Sequence, residues 1–326
     1  MTATTTHGVQ MSTPKYTWLL AAGWLIVLLA IPYAVYPMFL VKVLCFALFA
    51  AAFNLVFGYM GLLAFGHAAF YGVGAYVTAH TAKNWGIPTE VSILLGMACA
   101  GVLGILFGWL AIRRKGLYFA MITLALAQLV YFYFAQVDWA FGEDGIQSVP
   151  RGTFLGIVNL NDIHNLYYFV LGVVLVASLI IYRILNSPFG LAIKAVRDSE
   201  ARATSLGYSV NSVKLLAFSL SALFSGLAGS LKVIGFQVAS LLDVHYLTSA
   251  DVLLMVLIGG LGTIFGPYIG ALILVTMQIY LAPFGAWVLV IQGAVFIVCI
   301  LLFRDGIVGA LVRYSRALGR RHAPKG

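Results

Sequence analysis

The stretch 186–208 concentrates charged side chains inside an otherwise apolar sequence. Its charged residues are Lys194, Arg197, Asp198, Glu200 and Arg202. A single charge at the centre of a bilayer costs roughly 2.5–3.5 kcal/mol on insertion scales. The stretch must therefore lie in water or against another protein. Its charged side chains make it a candidate docking surface for a partner protein.

The order of residue types in this stretch predicts one or two short helices at a membrane surface. Pro188 discourages continuation of the preceding helix, because proline lacks an N–H and restricts the residue before it. Residues 191–197 form an amphipathic pattern, and Gly207 is a typical helix stop. We expect Leu191, Ile193, Ala195 and Val196 to supply apolar surface, with Lys194 and Arg197 available to solvent or a partner.

The rest of the chain has the composition of an integral membrane protein. Of its 326 residues, 62% are hydrophobic and 9% are charged, and the mean hydropathy is +1.01. Continuous apolar runs predict helices, since the strands of a membrane barrel would alternate polar and apolar residues. We predict an all-α polytopic helical bundle of about eight to ten transmembrane helices. The apolar segments are 17–36, 38–57, 66–82, 89–112, 117–136, 165–185, 213–235, 248–264, 266–282 and 285–303.

These segments predict one transmembrane domain, 17–303, between a short tail at 1–16 and a basic tail at 304–326.

The sequence contains three cysteines, Cys45, Cys99 and Cys299, which lie inside apolar runs and do not have the spacing of a metal or redox motif. We expect them to be small buried hydrophobes.

The positions of the basic residues predict the orientation of the chain. Ten crossings with a cytoplasmic N-terminus place fifteen of the nineteen basic residues inside, and they leave Lys42, Lys83, Arg151 and Lys232 outside. This agrees with the excess of Lys and Arg in cytoplasmic loops. Both termini are predicted to be cytoplasmic, with the basic tail touching anionic membrane lipids. The net charge of +9 thus reflects topology, and a nucleic-acid partner is not expected.

Two glycine clusters interrupt the apolar pattern, at 58–74 and 259–270. Glycine inside a helix costs roughly 1 kcal/mol relative to alanine, so each cluster needs a reason. Glycines allow close packing of helices, or the helix unwinds there and lines a substrate path. Both interpretations stay open. The candidate pathway residues are Asn54, Gly58, Gly61, Gly66, His67, Gly259, Gly260, Gly262 and Gly266.

His67 is the most polar residue of the first cluster. A histidine at membrane depth is a functional hypothesis by default, although it could instead bind an unwound carbonyl group or lie near the cytoplasmic interface. No second ligand stands at metal spacing, so we expect no metal site. Asp251 is expected near the outer end of its segment, in contact with water.

The longest outer loop, 137–164, is acidic and rich in turn-forming residues. It contains Asp138, Glu143, Asp144 and Asp162, with Gly142, Gly145 and Pro150. It could contact an incoming partner, or it could be a solvated connector.

Four blocks of this sequence resemble M-type permease subunits of ABC importers for branched-chain amino acids. They are NLVFGYMGLLAFGHAAFYGVGAYVTA, KGLYFAMITLALAQLV, NSPFGLAIKAVRDSEARATSLGYSVNSVKLLAFSLSALFSGLAGSL and GGLGTIFGPYIGA. The third block is the most specific. Such permeases often have a Thr-Gly-Gly-x-Asp/Glu-Gly stretch in the large outer loop. This chain keeps only its acid-glycine part, as Ala-Phe-Gly-Glu-Asp-Gly at 140–145.

The resemblance implies a Type II-importer-like ABC permease in a bacterial inner membrane, with its coupling segment at 187–207. The implied partners are ABC ATPase subunits, a homologous H-type permease subunit and a periplasmic substrate-binding protein. No cofactor is implied in this chain, since ATP and Mg would bind the ATPase subunits. The implied ATPase-coupling residues are Ser187, Pro188, Phe189, Gly190, Lys194, Arg197, Asp198, Glu200 and Gly207.

The resemblance thus implies a transport subunit that imports leucine, isoleucine, valine or related small substrates and is not itself an enzyme. It has no G-x-x-x-x-G-K-[ST] phosphate loop, so ATP hydrolysis is assigned to separate subunits. One alternative is a permease of the same family for urea, amides or aromatic acids. A second is an ion-coupled carrier, for which His67, Lys232 and Asp251 are the ionisable candidates. An intramembrane enzyme lacks support, because no HExxH or GxSxG motif is present.

Overall fold

The computed structural model describes residues 29–154, 156, 158–285, 287–302, 306 and 309, and the fold in this part of the chain is helical. The helices are α1 (Pro37–Asn54), α2 (His67–Asn84), α3 (Thr89–Ala111), α4 (Leu117–Gln136), α5 (Ile163–Leu185), α6 (Pro188–Asp198), α7 (Glu200–Ser205), α8 (Val210–Phe236), α9 (Leu241–Val244), α10 (Tyr246–Gly259), α11 (Gly266–Leu281) and α12 (Trp287–Leu302). The prediction of an all-α polytopic bundle is confirmed.

Short turns and one small hairpin complete the described elements. Single 3₁₀ turns cover Ile31–Tyr33, Asp138–Ala140, Gly142–Asp144 and Ala282–Phe284, and a π-helical turn, Leu55–Tyr59, continues α1. Two antiparallel strands, β1 (Thr153–Phe154) and β2 (Val158–Asn159), pair in the outer loop with Thr153 opposite Asn159. The hairpin is too small to change the fold class.

Six helical stretches of the described residues are long and apolar enough to cross a membrane. They are Pro37–Tyr59, Thr89–Ala111, Leu117–Gln136, Ile163–Leu185, Val210–Phe236 and Gly266–Phe284. The predicted segment 66–82 forms α2, which is less apolar and is enclosed by protein. The predicted segment 248–264 ends earlier than expected, since α10 stops at Gly259. Most of the predicted first span, 17–36, and nearly all of the basic tail lie outside the described residues.

The core is built around α8, which packs against α1, α2 and α3. Small residues let these backbones approach: a Cβ added to Gly229 would collide with the Tyr71 carbonyl, and one added to Gly74 would collide with Gly226. Close packing through small residues is the usual way for helices to associate in a membrane, where no hydrophobic force draws them together. Close packing is therefore the reason for glycine in these two helices.

The cysteines follow the prediction only in part. Cys45 is buried as predicted, but Cys99 is exposed on the surface of α3, and the Cys299 side chain lies outside the described part.

Asp251, which was expected in water, is held by two amide side chains. Gln278 Nε2 donates to Asp251 Oδ2 at 2.9 Å, and Gln292 Nε2 donates to Asp251 Oδ1 at 2.8 Å. Gln278 and Gln292 stand inside apolar runs and could have signalled this cluster.

The loop 137–164, predicted to lie outside, is an ordered structure that is tied to the rest of the fold. Ile146 pairs with Ala239 through two backbone hydrogen bonds of 2.9 Å, and Arg151 Nη2 donates to the Gly235 carbonyl at 2.8 Å. Gly145 (φ 66°) faces the Ala239 carbonyl at a distance that excludes a side chain. The loop is thus tied to the C-terminal end of α8, while Asp138, Glu143 and Asp144 remain exposed.

Candidate functional site

The two glycine clusters, distant in sequence, meet in the structure through Asn54 at the end of α1. The Asn54 side chain is 3% exposed. Its Oδ1 accepts a hydrogen bond from the Gly262 N–H at 3.1 Å, and its Nδ2 donates to the Thr263 carbonyl at 2.8 Å. One buried amide therefore satisfies both a donor and an acceptor of the second cluster, which fixes the two clusters to each other.

The first cluster begins where α1 loses its regular hydrogen bonds. The α-helix continues as the π turn Leu55–Tyr59, after which the Gly61 N–H donates to the Phe57 carbonyl at 3.2 Å. Gly61 has φ 76°, a left-handed conformation that favours glycine. The chain then crosses to α2 without a regular helix, which leaves the Gly58 carbonyl available to another partner.

The second cluster is a tight turn between α10 and α11. Thr263 Oγ1 donates to the Gly260 carbonyl at 2.8 Å and accepts from the Gly266 N–H at 3.1 Å. A Cβ on Gly259 would collide with the Gly266 carbonyl. Gly259, Gly260 and Gly266 therefore serve the close packing of this turn.

Arg197, at the end of α6, joins the charged stretch to both clusters. Its Nη1 donates to the Gly58 carbonyl. A Cβ added to Gly262 would lie 3.4 Å from the same nitrogen, and one added to Gly61 would lie 3.4 Å from Arg197 Cγ. We call the meeting place of Asn54, Gly58, Gly61, Gly262 and Arg197 the junction. No single part of the sequence contains it.

Arg197 and Lys194 are both exposed, as expected, but each also contacts the membrane domain. The Arg197 guanidinium group donates to the Gly58 carbonyl. The Lys194 ammonium group lies 5.8 Å from the centre of the Tyr59 ring, in cation–π range. The amphipathic pattern places both residues on the polar face of α6, but it cannot show that this face meets an unwound helix end.

Helix α6 begins as its sequence predicts. The Ser187 hydroxyl accepts the Gly190 N–H at 3.4 Å as an N-cap, and Pro188 occupies the first turn. Gly190 approaches the Leu185 carbonyl closely enough to exclude a side chain, which folds α6 back against the end of α5. Phe189 is half-buried against the core.

The apolar face of α6 differs from the expected one in one position. Ile193 and Val196 are buried as predicted, whereas Leu191 is 65% exposed. Ala195 is half-buried. Leu191 therefore belongs to the solvent-exposed surface of the charged stretch, together with Leu206, which is 71% exposed.

Glu200 fastens the second half of the charged stretch to the membrane domain. Its carboxylate pairs with Lys115 at 2.5 Å and with Lys214 at 2.6 Å, and Lys214 is 2% exposed. Burial favours the neutral carboxyl, but the two ammonium groups more than offset this effect, so the pKa of Glu200 lies below its usual value. Glu200 therefore holds α7 in place, although we expected it on the docking surface.

Other predicted coupling residues face outward. Pro188, Asp198 and Gly207 are exposed, as is Arg202. Gly207 (φ 86°) ends the short helix α7 as predicted. With the exposed leucines Leu191 and Leu206, these residues make up the exposed surface of the charged stretch.

His67 and Gly66 lie apart from the junction. His67 Nε2 is 2.9 Å from Ser221 Oγ, which itself donates to the Ala52 carbonyl at 2.5 Å. Because the serine proton is used there, the proton between His67 and Ser221 belongs to the histidine. The His67 ring is fully buried among Phe53, Phe70 and Phe218.

The hydrogen bonds from His67 to Ser221 and from Ser221 to Ala52 tie α1, α2 and α8 together. Gly66 packs against the Thr123 carbonyl of α4. Within the described residues, no three His, Cys, Asp or Glu side chains are grouped so as to hold a metal ion. His67 thus has the surroundings of a structural histidine.

Comparison with known proteins agrees with this architecture. Residues 35–300 match the family described as the branched-chain amino acid transport system permease component. The chain is 27% identical over 278 residues to the high-affinity branched-chain amino acid transport system permease protein LivM of Escherichia coli K12. The same identity and length hold for LivM of Salmonella typhimurium. Each alignment covers 78% of this chain and 65% of the relative.

A second group of relatives is named for a different substrate. The autoinducer 2 import system permease protein LsrC of Klebsiella pneumoniae is 28% identical over 204 residues, covering 60% of this chain and 57% of the relative. No solved structure matches. The match over 35–300 includes both glycine clusters, the charged stretch and the helices that carry them, and the chain belongs to the family of branched-chain amino acid transport system permease components.

Proposed function

We propose that this chain is a transmembrane subunit of an ATP-driven importer and that the junction couples its membrane helices to the motor. The observation that carries the proposal is the contact of Arg197 in α6 with the Gly58 carbonyl, at the point where Asn54 joins both helix breaks. A force applied to α6 would reach α1, α10 and α11 through these hydrogen bonds.

The ATPase partner would dock on the solvent-exposed surface of the charged stretch. This surface combines the exposed apolar side chains of Leu191 and Leu206 with the charges of Asp198 and Arg202. Protein interfaces combine apolar and polar side chains in this way. ATP and Mg²⁺ would bind the ATPase subunits, whose closure would push α6 toward the membrane domain.

The proposed orientation places the junction on the cytoplasmic side of a bacterial inner membrane. Arg113, Arg114 and Lys115 lie at the same end as the charged stretch, because Lys115 pairs with Glu200. Basic residues favour the cytoplasmic side. Both chain termini would then be cytoplasmic, as the positions of the basic residues predict, and the basic tail would contact anionic lipid.

The opposite face would receive the substrate. A periplasmic binding protein would dock near the ordered outer loop, where Asp138, Glu143 and Asp144 are exposed. A homologous H-type permease subunit would complete the pathway. These two partners are inferred from the family and from the exposed acidic surface.

The proposed substrates are leucine, isoleucine and valine, because the LivM relatives are named as permeases for branched-chain amino acids. Urea, amides, aromatic acids and autoinducer 2 are the alternatives within related permeases. The test is uptake into proteoliposomes that contain the full chain, its H-type partner and the ATPases, with the binding protein outside. Leucine uptake that requires internal ATP supports the proposal, and uptake of urea or autoinducer 2 but not leucine would assign another substrate.

An ion-coupled carrier is the competing mechanism. Such carriers need an ionisable group that can exchange ions within the membrane. His67 is enclosed by aromatic rings, and both oxygens of Asp251 accept amide hydrogen bonds. Uptake in vesicles that survives ATP depletion but stops with an uncoupler would replace the importer proposal with the carrier.

A further inference from the structure

A cavity of about 310 Å³ opens between α1 and the end of α8, on the side opposite the junction. It is lined by Lys42, Phe46, Lys232, Phe236 and Val238. Two ammonium groups and two aromatic rings therefore share one small space. Lysine is costly within a membrane segment, and where it occurs it usually faces a partner or a water-filled path.

Lys232 already has partners. Its ammonium group lies 2.7 Å from Asp243 Oδ2 and 3.2 Å from the Val238 carbonyl. The same Asp243 oxygen accepts the Ser240 N–H at 3.0 Å, which caps α9. The Lys232–Asp243 pair is thus part of the framework of the α8–α9 corner.

Lys42 is the cation of this cavity with unused donors. Within the described part of the chain it has no ion pair and no hydrogen bond. The negative charges of Asp251 and Asp243 act on it from a distance, but both Asp251 oxygens are taken by Gln278 and Gln292. A half-buried ammonium group with three free N–H donors can bind an anion.

The apolar walls of the cavity limit the kind of anion. Phe46 and Phe236 supply aromatic surface beside the charge, and a volume near 300 Å³ is at the small end of ligand pockets. The Phe46 ring is held in place by stacking on the fully buried Tyr71 ring, at 5.9 Å between centroids.

We propose that this cavity is an outer-face subsite for a small aliphatic carboxylate, with Lys42 binding the carboxylate and Phe46 and Phe236 contacting the hydrocarbon part. The inference deepens the proposed function, because leucine, isoleucine and valine are molecules of this class. The α-ammonium group of such an amino acid is not required by the site. The headgroup of an anionic lipid shares the negative charge, but a free carboxylate is the occupant to which the small cavity is suited.

The test is ligand binding to the full chain in nanodiscs of zwitterionic phosphatidylcholine, observed by saturation-transfer NMR of the ligand. The probes are leucine, 4-methylpentanoate, which lacks the ammonium group, and leucinamide, which lacks the carboxylate. Leucine and 4-methylpentanoate are expected to bind, and leucinamide at least about tenfold more weakly, since hydrogen bonds to charged groups are the stronger ones. Lys42→Gln should reduce binding of both acids to the level of leucinamide.

Two control variants distinguish binding at Lys42 from nonspecific attraction of the acids to basic side chains. Lys42→Arg keeps a cation and should retain binding, and Lys83→Gln removes an exposed outer lysine that bonds Gln147 and should change nothing. Equal binding of leucine and leucinamide, or unchanged binding in Lys42→Gln, would overturn the proposal. Loss of leucine binding when phosphatidylglycerol replaces the zwitterionic lipid would also overturn it, because it would identify a lipid headgroup as the occupant.

The outcomes also separate this inference from the proposed function. If the acids bind through Lys42 but ATP-driven leucine uptake is absent, the subsite stands and the importer proposal fails. If uptake is present and Lys42→Gln leaves acid binding unchanged, the importer stands and the subsite fails.

Discussion

Replacing Arg197 with alanine tests the junction as the mechanical link between α6 and the membrane helices. The change removes the hydrogen bond to the Gly58 carbonyl and leaves the apolar face of α6 intact. A hydrogen bond to a charged group contributes roughly 1.5–3 kcal/mol, and the partial exposure of Arg197 places this one near the low end. A loss of about 1–2 kcal/mol corresponds to a five- to thirtyfold change in an equilibrium constant.

The expected result is a substrate-stimulated ATPase rate at least about fivefold lower than that of the wild type, with the chain still inserted and assembled. The assay measures basal and stimulated ATP hydrolysis of the reconstituted complex, and co-purification of the ATPase reports assembly. Arg114→Ala is the matched control, since Arg114 is an exposed arginine at the same end of the molecule outside the charged stretch. It should keep wild-type stimulation.

Asn54 supplies a second perturbation of the same link. Asn54→Ala removes both hydrogen bonds to the second cluster, so it should lower stimulation in the same way as Arg197→Ala. Side chains of one network have non-additive effects, and the double variant should therefore lose little more than either single variant. Wild-type stimulation in a well-assembled Arg197→Ala complex would refute the reasoning.

Three further changes test the surrounding structure. Glu200→Gln should lower the thermal unfolding temperature in detergent at pH 7. Because folding lowers the pKa of Glu200, the destabilisation should be full at pH values above the ordinary glutamate pKa of about 4.5. It should vanish as the pH falls through the lowered pKa of the folded state. A pH-independent difference would contradict the two ion pairs. Gly259→Ala should destabilise the α10–α11 turn by about 1–3 kcal/mol through overpacking, measured by thermal unfolding, whereas Gly172→Ala, in open space on α5, should be neutral or stabilising; equal effects would contradict the close contact with Gly266. Asp243→Asn leaves Lys232 without its counter-charge and should cost roughly 3–5 kcal/mol, seen as loss of folded protein on size-exclusion chromatography, and an unchanged elution profile would contradict a buried pair.

The sequence is sufficient for the fold class because the decisive signals are local. Continuous apolar runs identify membrane helices, and Pro188 and Gly207 limit the charged stretch by their backbone chemistry. The amphipathic pattern correctly predicts burial of Ile193 and Val196. These features depend on neighbours a few residues away, so one sequence contains them.

The junction depends on contacts between distant parts of the chain. The sequence identifies Asn54 as a polar residue beside a glycine cluster, but its partner Gly262 is 208 residues away. The helical pattern puts Arg197 on the polar face of α6, and only the three-dimensional packing shows that this face meets Gly58. Likewise Lys115 and Lys214 give no sequence sign of their shared partner Glu200. Electrostatic pairs between helices depend on packing angles, which periodicity does not specify.

The most direct measurement of the central claim is the distance between α6 and the second glycine cluster through the ATP cycle. Spin labels at Leu191→Cys and Leu261→Cys, both exposed positions, would report it by double electron–electron resonance in a chain whose native cysteines are replaced. A third label at exposed Trp85→Cys provides an outer reference. If the junction is a rigid link, the 191–261 distance stays constant within about 2 Å, roughly the precision of such labels given ordinary side-chain motion, while both positions move relative to residue 85. A shift of residue 191 relative to residues 261 and 85, with those two keeping their separation, would contradict the account.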